Sequence, residues 1–222
     1  MRFKGVILDL DGTLVNSLED IADSMNRVLA EYGFPTHDLE DYKRFVGRGL
    51  RNLVSRALPE GTKDEGLISR CRDSMLEEYG KNYLNKTRPY DGITDLLDEL
   101  VRRGLRLAVF SNKNDDLTKK LVATLLPGWH FAAVIGSSAE MPEKPDPKGA
   151  LLISWQLGIS PELLIYVGDS DVDMETAHNA RMYAVGALWG FRTKEELISN
   201  GAEYLLKGPM DLLQILQEEG GA

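Results

Sequence analysis

Apolar positions along the chain follow two rhythms. Short runs at 3–8, 105–110, 131–135, 163–167 and 183–188 are candidates for buried strands. Before, between and after the last four, apolar residues recur at helical spacing, which predicts helices over 93–103, 114–126, 147–157, 171–180 and 193–199. Strands alternating with amphipathic helices imply an α/β fold, a doubly wound parallel sheet covered on both faces.

The interval between the first strand and Leu105 is much longer than one crossover needs. It carries its own helical patterns, over 17–33, 38–45, 48–57 and 64–84. Ser17 is a plausible N-cap for the first, and Leu18, Ile21, Met25, Leu29 and Tyr32 mark one face of it. Gly33-Phe34-Pro35 closes that helix, and the turn-rich Arg88-Pro89-Tyr90-Asp91-Gly92 leads back to the next core helix. The pattern therefore predicts an all-helical insert at 15–85 in a core made of 1–14 and 86–222.

Composition narrows the function. Lys and Arg total 26 against 35 Asp and Glu, a formal charge of −9 among 222 residues, so no basic face for nucleic acid is expected. No apolar run approaches the roughly 18 residues of a membrane span, and Val6-Ile7-Leu8 is too short for a signal-peptide core. The expected compartment is the cytoplasm, and the expected assembly a monomer or homodimer. One cysteine, Cys71, leaves no intramolecular disulfide and no cysteine-rich zinc site. The histidines His37, His130 and His178 show no metal spacing, and Trp129, Trp155 and Trp189 read as packing residues.

In open α/β sheets, ligands bind at the carboxyl ends of the strands. Here those ends collect Asp9-Leu10-Asp11-Gly12-Thr13, then Ser111-Asn112-Lys113, then Lys144 after Gly136-Ser137-Ser138, then Gly168-Asp169-Ser170-Asp171-Val172-Asp173. Two acids flanking one leucine at a buried strand end need a cation or a hydrogen-bonding partner. Taken singly, Asp169 and Asp173 would read as helix caps, and Ser111 or Lys144 as a cap and a surface charge. Lys113 reads as the weakest of the set, on the surface or behind the site, and Glu143 as a local ion-pair partner of Lys144.

In their order and form these four segments resemble the motifs of the haloacid dehalogenase-like phosphohydrolases, and the match spans nearly the whole chain. Arg88-Pro89-Tyr90-x-Gly92, Lys144-Pro145-x-Pro147 and Val185-Gly186-Ala187-Leu188-Trp189-Gly190 are similar to the phosphoglycolate phosphatase-like branch, although Asp91 stands where that branch commonly has proline. The resemblance implies a Rossmann-like core with a mobile helical cap, and a magnesium-dependent phosphatase of small phosphate monoesters. Asp9 would be the nucleophile that forms an aspartyl-phosphate, and Asp11 the general acid and base. Asp9, the backbone carbonyl of Asp11, and Asp169 would hold Mg2+, with Asp173 orienting a neighbour from behind. Ser111, the backbone of Asn112, and Gly12 would meet phosphate oxygens, and Lys144 would balance charge. Arg48, in the Gly47-Arg48-Gly49 loop of the cap, would meet a substrate carboxylate or else lie solvated in a turn. A phosphoglucomutase-like sugar phosphate mutase, or a phosphatase for nucleotides or sugar phosphates, would use the same motifs.

Overall fold

The computed structural model describes residues 2–218. Six parallel strands form the main sheet: β1 (Gly5–Leu8), β4 (Arg106–Asn114), β5 (Phe131–Ser137), β6 (Leu164–Gly168), β7 (Tyr183–Ala187) and β8 (Tyr204–Leu206). Their order is β5-β4-β1-β6-β7-β8, so β1 lies in the interior, between β4 and β6. Gly5 pairs with Arg106 on one side and with Leu164 on the other. From β1 the chain steps out through β4 to β5 on one side, then crosses to β6 and steps out to β8 on the other, which makes the carboxyl end of β1, beside β6, the switch point where such sheets bind ligands.

Side chains alternate across β1, as extended geometry requires. Val6 and Leu8 join one buried cluster with α5 (Ile93–Arg102), α6 (Asp115–Leu125) and α10 (Leu212–Glu218). Ile7 faces the other side, packed with α7 (Lys148–Leu157), α8 (Asp171–Asn179) and α9 (Lys194–Ser199). Both faces of the sheet are therefore covered, and the near-continuous apolar runs follow from that.

The insert folds as α1 (Leu18–Glu31), α2 (Leu39–Phe45), α3 (Gly49–Ala57) and α4 (Glu65–Asn82). These helices enclose a core of their own, with Met25, Leu29, Tyr42, Val54, Cys71 and Met75 all nearly inaccessible. The chain passes between core and insert through a small antiparallel ribbon, β2 (Val15–Asn16) against β3 (Arg88–Pro89). Asp20 of α1 ties the return path down, accepting from the backbone N–H groups of Lys86 and Thr87 and from the Thr87 hydroxyl.

Several local expectations need correction. The strand expected to stop at Phe110 continues through Ser111, Asn112 and Lys113 to Asn114, with irregular pairing to β5 between Phe110 and Asn114. β8 and α10 were not among the expected elements, although Leu212, Ile215 and Leu216 of α10 recur at helical spacing and join the core. Ser17 precedes α1, but its hydroxyl donates to Asp11 rather than capping the helix. Trp155 is not a packing residue, being 78% exposed on α7. Trp129 and Trp189 do pack, and each indole N–H finds an acceptor, Asp98 at 2.8 Å and the Thr13 carbonyl at 3.0 Å. Among the described residues, no helix is long and apolar enough to cross a membrane.

Candidate active site

Asp9 directly follows β1, and its backbone N–H still pairs with the Val167 carbonyl of β6 at 2.9 Å. Leu10 turns into the apolar cluster while Asp11 lines the same cavity as Asp9. That cavity, about 730 Å3 with its mouth, lies between the sheet edge and the helical insert. The core contributes Asp9, Asp11, Ser111, Asn112, Lys113, Lys144, Asp169 and Ser170 to its lining, so the four motif segments do converge.

Lys144 organises the floor. Its ammonium donates to Asp9 at 2.8 Å and to Asp173 at 2.6 Å, and its side chain is only 2% exposed. Glu143 takes no part in this pairing; it sits against Gly49 and accepts from Ser137. Asn112 fixes the Lys144 backbone from both sides, accepting from its N–H at 2.6 Å and donating to its carbonyl at 3.1 Å. The same carboxamide donates to the Gly47 carbonyl of the insert at 2.9 Å. The far oxygen of Asp173 accepts from the Ser170 hydroxyl and backbone N–H, a capping box that starts α8.

Asp169 is 1% exposed and accepts from the Phe191 backbone N–H at 2.7 Å. Two glycines make room for it. A Cβ on Gly12 would lie 2.3 Å from the Asp169 carboxylate, and one on Gly190 2.2 Å from its Cβ. Gly12 also has φ +88°, a backbone conformation that side chains oppose. Its observed role is thus to admit Asp169.

Asp9, Asp169 and Asp173 bring carboxylate oxygens within 4.8 Å of one another. Burial pushes the Asp9 carboxyl up to about 7; Asp173 and Asp11 add to the rise, and Lys144 opposes it. Burial likewise raises Asp169 well above the usual carboxylate range, with Asp173 and Asp9 contributing. Three buried acids share one lysine here, so the cluster carries an excess of negative charge that a hard divalent cation would neutralise. The oxygen-only donor set fits a hard divalent cation of this kind. The Asp11 carboxylate is not part of the trio, because it faces Lys113 and Ser17.

Lys113 is the residue that the sequence undersold. Its side chain is 7% exposed, and its ammonium donates to both Asp11 oxygens, at 2.9 and 2.8 Å. Burial acts to lower its pKa, but the Asp11 and Tyr79 groups outweigh that and hold it raised. Tyr79 of α4 lays its ring 4.5 Å from the same ammonium. The Tyr79 hydroxyl is buried and has no hydrogen-bond partner among the described residues, and burial pushes its pKa up to about 12. Alternation along β4 places residues 111 and 113 on one face, a signal that could have found Lys113. Nothing in the local sequence pointed to Tyr79.

Arg48 lies elsewhere than the cavity lining. It stands at the N-cap position of α3 and donates to Asp171 at the start of α8, joining insert to core. Beside it, Arg192 donates to the carbonyls of Lys43 and Val46, the latter at 2.7 Å. Phe191 joins the apolar core of the insert. Apart from backbone at Gly47 and Gly49, the insert lines the cavity with Ile21, Val46, Leu50, Leu53, Met75, Leu76 and Tyr79.

A family model described as haloacid dehalogenase-like hydrolase matches residues 6–187, which includes all four motif segments. The chain belongs to this family. Among relatives of this hydrolase, the phosphoglycolate phosphatase of Aquifex aeolicus (strain VF5) is 31% identical over 215 residues, covering 95% of each chain. The phosphoglycolate phosphatase of Haemophilus influenzae (strain 86-028NP) is 30% identical over 221 residues, covering 97% of this chain and 99% of that one. A crystal structure described as a predicted phosphoglycolate phosphatase, from Haemophilus somnus, superposes with a TM-score of 0.90 at 27% identity, covering 98% of this chain and 99% of the other. A haloacid dehalogenase-like hydrolase of Streptococcus pneumoniae shares the fold with a TM-score of 0.88 at 24% identity, over 97% and 99% of the two chains. The hydrolase thus falls in the phosphoglycolate phosphatase-like branch of its family.

Proposed function

We propose that this hydrolase cleaves small phosphate monoesters, 2-phosphoglycolate foremost, through a phosphorylated Asp9. The observation that carries this reading is the Lys144 ammonium shared between Asp9 and Asp173 on the cavity floor, with Asp169 alongside. Lys144 occupies one oxygen of Asp9, and the second makes no hydrogen bond among the described residues, which suits a nucleophile. That oxygen attacks phosphorus, forming an Asp9–phosphorus bond as the ester P–O bond breaks. Asp11 gives a proton to the departing alkoxide. It then takes one from the water that attacks phosphorus, and breakage of the Asp9–phosphorus bond releases inorganic phosphate.

Lys144, with Ser111 and the backbone of Asn112, stabilises charge on the phosphoryl group and keeps Asp9 oriented. Asp9, the Asp11 backbone carbonyl and Asp169 would hold Mg2+, with Asp173 behind them anchoring Lys144. The bound ion supplies charge neutralisation between an anionic nucleophile and an anionic substrate. Residues 15–85 act as the cap, and 1–14 with 86–222 as the catalytic core.

The test is a turnover panel of 2-phosphoglycolate, nucleoside monophosphates and sugar phosphates, with product identified as inorganic phosphate or an isomerised sugar phosphate. Free phosphate, highest kcat/KM for 2-phosphoglycolate, loss of turnover in EDTA with restoration by Mg2+, and a phosphorylated Asp9 peptide on rapid quenching are expected. Normal turnover by Asp9→Asn would sink the nucleophile assignment, and an isomerised product would sink the hydrolytic one.

A further inference from the structure

A carboxylate-bearing substrate brings a second negative charge into this cavity, and something must meet it. The insert side offers only apolar groups, backbone and one phenol. Of the cations in the lining, Lys144 is committed to Asp9 and Asp173, and Arg192 to carbonyls of the insert and to Asp171. Arg48 is not in the lining and is paired with Asp171. That leaves Lys113.

Its geometry is suited to the task. A lysine ammonium has three N–H donors; Lys113 directs two at the oxygens of Asp11, which leaves one with only the Tyr79 side chain beside it, its ring 4.5 Å away. Tyr79 closes the other side of the ammonium and presents a buried hydroxyl with no partner of its own. An orphaned buried hydroxyl is costly, so one that lines a cavity points to a ligand acceptor. The position agrees with the chemistry. Asp11 serves the leaving oxygen, and in 2-phosphoglycolate the carboxylate sits one methylene beyond that oxygen, beside the cation bonded to Asp11.

We infer that Lys113 and Tyr79 together form the subsite for the substrate's carboxylate, Lys113 from the core and Tyr79 from the insert. The inference rests on the proposed hydrolysis at Asp9 and adds the group that selects the ester. The carboxylate takes the third ammonium donor and the phenol's O–H, so it is held between core and insert.

The test compares kcat/KM for 2-phosphoglycolate and for ethyl phosphate, which lacks the carboxylate, in wild type, Tyr79→Phe, Lys113→Met and Arg48→Ala. The preference for 2-phosphoglycolate is expected to fall about tenfold in Y79F and about a hundredfold in K113M, while R48A keeps it. An unchanged preference in Y79F and K113M, or a collapse confined to R48A, overturns the assignment. Y79F removes a single oxygen atom, so it decides the matter if K113M fails to fold. Calorimetric binding of both esters to Asp9→Asn protein in Mg2+ should show the same loss of preference when Y79F is added. If the wild type hydrolyses neither ester, the hydrolase reading fails alone, and this binding comparison still decides the subsite.

Discussion

Lys144 sits with its charge almost wholly withdrawn from water, and Asp9 and Asp173 are equally enclosed. Removing one partner from a buried ion cluster strands the rest, at about 3–5 kcal/mol. Lys144→Met is therefore expected to lower the thermal midpoint sharply in metal-free protein, and adding Asp173→Asn should recover part of the loss; a scan of the two variants checks it. Asp9 gives a second prediction. Its folded pKa is raised to about 7, so between roughly pH 4 and 7 the folded state binds more protons here than the unfolded state does. The sign follows: this carboxyl makes wild type progressively less stable across that window as pH rises. In EDTA, Asp9→Asn should gain in thermal midpoint relative to wild type from pH 4 to 7 and then level off. A difference that is flat or falling across the window would contradict the raised value. The core acids were legible at this scale because Asp9, Asp11 and Asp169 stand at strand ends. Tyr79 was not, since a tyrosine inside an amphipathic helix looks the same whether it packs or binds.

At the level of elements, the carboxyl ends of β1 and β6 do the positioning, and Gly12 is what lets them meet. A side chain there meets both an unfavourable φ and the Asp169 carboxylate at 2.3 Å. Gly12→Ala should cost about 1–3 kcal/mol and weaken Mg2+ binding at least tenfold, readable by thermal denaturation and calorimetry. The alternation of buried strands and amphipathic helices was legible in the core as far as α9, and so were the four insert helices to within a few residues at each end. What escaped was decided by tertiary contact. β4 runs on to Asn114 because β5 offers Ser137 as a partner, although Ser111, Asn112 and Lys113 carry no strand-like apolar pattern. The β2–β3 ribbon joins Val15–Asn16 to Arg88–Pro89 across the whole insert, a pairing no local window can contain.

Across the whole molecule, two of the ties that hold the insert against the core are arginine clasps, and magnitudes separate them. Arg48 and Asp171 are 41% and 21% exposed, so their pair contributes no more than about 1 kcal/mol. Arg192 is 10% exposed and satisfies two carbonyls at the end of α2, which would otherwise go short of donors. Arg192→Ala is expected to speed hydrogen exchange several-fold at 43–50 and to leave β1, β4 and β6 protected, whereas Arg48→Ala should change exchange at 43–50 less than twofold. Mass-spectrometric exchange on both variants distinguishes the two clasps. The order of the strands has a further consequence for synthesis. β1 leaves the ribosome before both its neighbours: β4 follows only after the insert and α5, and β6 only after α7. Until β4 appears the strand leading to Asp9 has neither edge paired, while the four insert helices, which supply all but a few members of their apolar centre, are already made. The nascent chain therefore acquires the insert before the acid cluster beneath it, and the proposed reaction centre closes only when Phe191 arrives to donate to Asp169.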